Sequence, residues 1–171
     1  PGTKVLGVLP KLLKMENIDD IYLLTADDDL SYQKTFIETF KNKILLEPDT
    51  IWTGYMTNVK DYKTCFGADG ITMKLSELTQ LGKYARLFIE KCPKVFYHDD
   101  VIFSTFIFIK KKNIKLTRAR SRIVGTYTFQ DEYSLTKFEN NIDIRNHNCR
   151  NGYIQLLKSG KFDEFKSNIE K

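Results

Sequence analysis

The sequence predicts an α/β fold, on two observations. Short apolar runs alternate with amphipathic helical patterns, and the first run, "IYLLTA" at 21–26, is nearly continuous, as a strand buried on both faces requires. A third observation points to function. "DDD" at 27–29 follows that run at once, so three carboxylates stand at the C-terminal end of a strand, where open α/β sheets bind ligands.

The elements follow in order. "TKVLGVLPKLLKM" carries Val5, Leu6, Leu9, Leu12 and Leu13 at helical spacing and predicts a helix from about Thr3 to Met15, weakened by Gly7 and Pro10. After the strand, "SYQKTFIETFKNKI" places Phe36, Ile37, Phe40 and Ile44 on one helical face, and "TIWTGYM" supplies a β-branched and aromatic strand. The polar stretch "TNVKDYKTCFGADG" reads as a loop with two glycines near its end, with a short strand "ITMK" behind it. "LSELTQLGKYARLFIEKC" is a long amphipathic helix ended by Pro93, and "DDVIFSTFIFIKKK" a more apolar one with Asp99 or Asp100 at its N-terminus. "NIKLT" is a strand. From Arg118 onward the pattern is irregular, with two short helices near the end.

Composition bounds the classes. A chain of 171 residues with 42% hydrophobic and 13% aromatic content is sized for one domain, 1–171, with a substantial core, which argues against intrinsic disorder. No apolar run approaches the roughly 20 residues of a membrane span, and the opening lacks the layout of a signal peptide. Cys65, Cys92 and Cys149 stand far apart with no CxxC, which fits neither a disulfide framework nor a zinc site and favours a reducing compartment. The net charge of +5 is local: seven basic residues and no acid lie between Lys110 and Arg122, which suits phosphate or another polyanion.

Four groups can carry chemistry. Two carboxylates one residue apart at a strand end present hard oxygen ligands to Mg²⁺ or Mn²⁺, though an acidic turn or helix cap is the plainer account of three aspartates. Asp99 and Asp100 can cap a helix, and one of them can also act as a general base. His147 sits in a polar stretch, "RNHNCRNGY", as a metal ligand or a solvated side chain, while His98 reads as structural. Arg118, Arg120 and Arg122 offer planar forks to a diphosphate, or form a solvated charged loop.

Taken together, "PGTK", "DDIYLLTADDDLSY", "FGADGITMKLSEL", "YHDDVIFSTFI" and the late histidine resemble, in this order, a GT-A glycosyltransferase of the kind found in bacterial polysaccharide clusters and in large DNA viruses such as chloroviruses. The resemblance implies a GT-A-like, Rossmann-like mixed sheet flanked by helices, with the N-terminal nucleotide-binding strands missing or truncated, since almost nothing precedes "PGTK". It implies a nucleotide-diphosphate sugar donor, a UDP-sugar above all, bridged by Mn²⁺ or Mg²⁺ to Asp29, Asp27 and His147. Asp27, Asp28, Lys4, Arg120 and Arg122 would contact the donor. Trp52, Gly67, Ala68, Asp69 and Gly70 would face a glycan or glycoprotein acceptor, and Asp100 or Asp99 would be the base of an inverting transfer. Partners would then include no nucleic acid, and the location would be cytoplasmic, the host cytoplasm for a viral protein, with membrane association through other parts of a longer protein. Two other classes compete. A metal-dependent nuclease or phosphohydrolase would gather Asp27, Asp29 and Asp99 or Asp100 around two ions. A non-enzymatic RNA-binding module would use residues 110–122 with Tyr127 and Phe129 as stacking partners.

Overall fold

A computed structural model describes residues 3–27, 30–59, 62–65, 67–91, 93, 99–110, 112–117 and 167. The elements are α1 (Thr3–Leu6), α2 (Leu9–Leu12), β1 (Tyr22–Leu24), α3 (Phe36–Leu46), β2 (Ile51–Thr53), β3 (Met56–Val59), β4 (Tyr62–Cys65), β5 (Thr72–Lys74), α4 (Leu81–Lys91), α5 (Asp99–Ile109) and β6 (Ile114–Leu116). Short 3₁₀ turns occupy Gly67–Asp69 and Leu75–Leu78. This is a mixed α/β architecture.

Three strand ladders form. β1 pairs antiparallel with β5, β2 pairs parallel with β6, and β3 and β4 make an antiparallel hairpin. An antiparallel bridge between Thr53 and Ile71 joins the first two ladders, so β1, β5, β2 and β6 lie side by side with β5 running against the other three. The Trp52 amide donates to Thr72 Oγ1 at 3.0 Å and reinforces that junction.

Alternation along these strands separates two cores. Ile51, Ile71, Met73 and Ile114 face α4 and α5 and join Leu81, Tyr84, Phe88, Ile102, Phe106 and Ile107, nearly all removed from solvent. Each of the large side chains is worth about 2 kcal/mol of burial. On the other face Trp52 packs with Phe36 and Phe40, supported by Leu24, Tyr32 and Ile44.

Several expectations are corrected. The single helix from Thr3 to Met15 is two short ones, broken after Leu6. Gly7 favours the break, and Pro10 sits in the first turn of α2, where its missing N–H has no intrahelical partner to lose. β1 is half-buried rather than enclosed on both sides, and among the described residues its only ladder is with β5. Ile37 is 71% exposed, because it stands about 100° around α3 from Phe36, whereas Phe36 and Phe40 are buried as expected. The segment read as a loop contains the β3–β4 hairpin, in register from Met56–Cys65 to Val59–Tyr62. Its threonines, lysine and asparagine, adjacent in pairs rather than alternating with apolar residues, hid the strand pattern behind polarity. The long helix expected from Leu75 starts instead as a 3₁₀ turn and becomes α4 only at Leu81.

Candidate active site

β1 carries the chain toward the aspartate triplet, and α5 begins with Asp99 and Asp100. These two points are far apart in sequence, yet both reach one small cleft. Thr25, Gly67, Ile71, Asp99 and Asp100 line it together with Val5 and Leu6 of α1 and Leu81, Ile102 and Phe103, around a volume of about 20 Å³. That is room for little more than one water or one hydroxyl group.

The position of Asp100 follows from specific bonds. Its Oδ1 accepts the Gly67 amide at 2.7 Å, while Asp99 Oδ1 accepts the Asp100 amide at 3.1 Å. Asp99 therefore serves the helix end, where an acid is also favoured by the helix field, and Asp100 is held by the neighbouring turn. Ser104, one turn along α5, donates to the Asp100 carbonyl at 2.6 Å and accepts the Cys65 amide at 2.9 Å, which ties α5 to the end of β4. A buried serine inside an otherwise apolar helix has this as its reason. A Cβ at Gly67 would stand 3.2 Å from Asp100 Oδ1, so a glycine lets the amide approach the carboxylate.

Cys65 reports on the electrostatics of this region. Burial, and then the nearby Asp100 carboxylate, push its thiol from an ordinary 9.0 up to about 12. Cys65 is accordingly an inert core thiol.

The turn that leads out of the cleft is shaped around Gly70. Its φ is +89°, and a Cβ there would lie 2.6 Å from the Phe40 ring. Asp69 is buried in the same turn and Ala68 is half-buried. Two hydroxyls to which the sequence reading assigned no role connect this turn to the end of β1 and to Asp27. Thr25 Oγ1 donates to the Gly67 carbonyl at 3.0 Å and accepts the Ile71 amide at 2.9 Å. The Tyr32 hydroxyl accepts the Asp27 amide at 2.7 Å and donates to the Ala68 carbonyl at 2.7 Å. A threonine at the end of an apolar run and a tyrosine five residues after the first aspartate were the available signals.

The other expected site residues divide as follows. Asp27 is half-buried at the end of the described β1 segment. Lys4 belongs to α1, but its side chain lies outside what the structure describes, as do Asp28, Asp29, His98, Arg118, Arg120, Arg122, Tyr127, Phe129, His147, Cys92 and Cys149. Among the described residues no three His, Cys, Asp or Glu side chains converge as a metal site. Among the described residues, too, no helix is long and apolar enough to cross a membrane.

Trp52 is separated from the Asp100 cleft. It is 6% exposed and borders an open groove of about 520 Å³ with Lys43, Glu47, Met56 and Lys115. The Lys43 and Lys115 ammonium groups lie 5.2 and 5.9 Å from its ring centroid. The described lysines of the basic stretch are engaged within the fold: Lys110 with Gln80 at 2.8 Å, Lys112 with Glu77, and Lys115 with both Glu47 oxygens at 2.8 and 2.7 Å.

Comparison with known proteins yields no matching family model, no similar curated protein and no similar solved structure.

Proposed function

We propose that the protein is a glycosyltransferase of GT-A type that moves a sugar from a nucleotide-diphosphate donor, a UDP-sugar, to a hydroxyl of a glycan or glycoprotein acceptor. The observation that carries the reading is the convergence of the β1 end, which leads into the triplet, and the Asp99–Asp100 start of α5 on one cleft. A mixed sheet with one reversed strand, flanked by helices, agrees with the fold that the resemblance implies.

The acceptor hydroxyl enters beside Asp100, in a space of its own size. Asp100 takes its proton as the new bond forms between the acceptor oxygen and the anomeric carbon. The bond from that carbon to the diphosphate breaks, and its electron pair departs with the nucleoside diphosphate, which inverts the centre. Asp99 keeps the helix end in place while this happens. The donor set proposed for the ion, the carboxylates of Asp27 and Asp29 with the His147 imidazole, has the chemistry that Mn²⁺ or Mg²⁺ accepts, and Asp27 is its one described member. A divalent ion held there would offset the charge on the departing diphosphate.

Calorimetric titration with UDP, with and without Mn²⁺, tests the reading. UDP binding that requires Mn²⁺ and is lost in Asp29→Ala supports it, whereas unchanged binding in that variant removes the metal bridge. Cleavage of nucleic acid in Mg²⁺ without UDP-sugar hydrolysis would replace the transferase with a phosphohydrolase.

A further inference from the structure

Tyr32 and Thr25 each spend a donor and an acceptor between the same two segments. One segment is the end of β1 with the start of the triplet. The other is the turn from Gly67 to Ile71. The turn in turn holds Asp100 through the Gly67 amide. A continuous path of bonds therefore runs from the Asp27 backbone through the Tyr32 hydroxyl to Ala68, along one peptide to Gly67, and on to the Asp100 carboxylate. Packing alone does not call for either hydroxyl. The Tyr32 ring packs on Phe36 at a tilt of 33° with centroids 4.3 Å apart, which a phenylalanine would do equally well, and the methyl groups of a valine would fill the place of Thr25.

We propose that Tyr32 and Thr25 are positioning residues that lock the end of β1 and Asp27 to the turn orienting Asp100, so that the donor and the base are held in one register. The two ends are named donor and base on the reading given above, while the lock itself is a property of the bonds. A misplacement of about 1 Å between reacting groups is enough to cost roughly a hundredfold in rate. Short bonds through hydroxyls set such a distance more tightly than apolar contacts do, because they are directional.

Tyr32→Phe and Thr25→Val remove the bonds and keep the shape. In each, kcat for UDP-sugar turnover should fall about tenfold or more, the equivalent of one hydrogen bond of about 1.4 kcal/mol. The donor KM should stay within about threefold, and Thr25→Ser should restore kcat. A merely structural role would lower the melting temperature and leave kcat in place. Variants that turn over at the wild-type rate overturn the proposal. Amide hydrogen exchange of the same variants separates this proposal from the assigned reaction. If the wild type turns over no UDP-sugar, the transferase reading falls, yet Tyr32→Phe should still speed exchange at the Asp27 and Gly67 amides. Unchanged exchange at Gly67 in Tyr32→Phe overturns the lock whatever the substrate is.

Discussion

The two faces of the β1, β5, β2 and β6 strands hold two clefts of opposite character. On the face covered by α4 and α5, a pocket of about 20 Å³ places the Asp100 carboxylate against apolar side chains and a backbone amide. On the face covered by α3, a groove of about 520 Å³ holds Glu47 and Lys115 bonded to one another at the surface. Charge–charge effects are strong where water is excluded and weak where it is not. The Asp100 carboxylate is set in a narrow, largely apolar space, while the Glu47–Lys115 pair of the groove ties β6 to α3 at the surface.

The comparison is most severely stressed at Gly70, which bridges the faces by lying beside Phe40 and Phe36 on one side and following the Gly67–Asp69 turn on the other. Gly70→Ala combines a left-handed φ with an overlap against an aromatic ring, and should cost about 3 kcal/mol in denaturant unfolding. A loss below about 1 kcal/mol would show that the turn relaxes freely and holds nothing in place.

A second prediction concerns the closed face. With a folded-state thiol at about 12 against an ordinary 9.0, Cys65 keeps its proton in the native state at pH 9–12 while the unfolded chain releases it. The contribution of this thiol to stability is therefore full below pH 9 and falls as pH rises from there toward 12. Peptide mapping after iodoacetamide treatment at pH 8 should find Cys65 unmodified in native protein and modified in urea. Native modification would mean that this face opens readily.

The smallest effect belongs to the groove. Lys115 and then Thr50 hold the Glu47 carboxyl below its ordinary 4.5, so its contribution is present above pH 4.5 and fades as pH falls through the lowered value. Because the pair is open to solvent, Lys115→Met should leave the melting temperature nearly unchanged at 0.15 M salt. A large drop would contradict the view of this cleft as a screened surface.

Much of this architecture was legible from local pattern. β5, α5 and β6 lie where apolar and β-branched runs placed them, and the Phe36–Phe40 spacing marked the inner side of α3. The β3–β4 hairpin was not legible, because residues 56–65 mix polar side chains without a clean alternation and its pairing stabilises them from outside the segment. The break between the Leu75–Leu78 turn and α4 escaped for a similar reason, since helical periodicity runs across it. In the site, Asp99 and Asp100 were visible as a capping pair and both line the cleft, but which one the neighbouring turn holds depends on the Gly67 amide, a contact across more than thirty residues that no spacing rule encodes. The hydroxyls of Thr25 and Tyr32 were hidden likewise, as their partners in the Gly67–Ile71 turn lie 36 to 46 residues away.

Asp100, held by Gly67, is the proposed base, while Asp99 serves the helix end. The most direct measurement compares UDP-sugar turnover and Mn²⁺–UDP affinity in Asp100→Asn and Asp99→Asn, two changes that keep shape and an acceptor oxygen. Asp100→Asn should bind the nucleotide as the wild type does and lose turnover by a factor of about 10² to 10⁴, while Asp99→Asn keeps most of its turnover. Wild-type turnover in Asp100→Asn, or a greater loss in Asp99→Asn, would contradict the assignment.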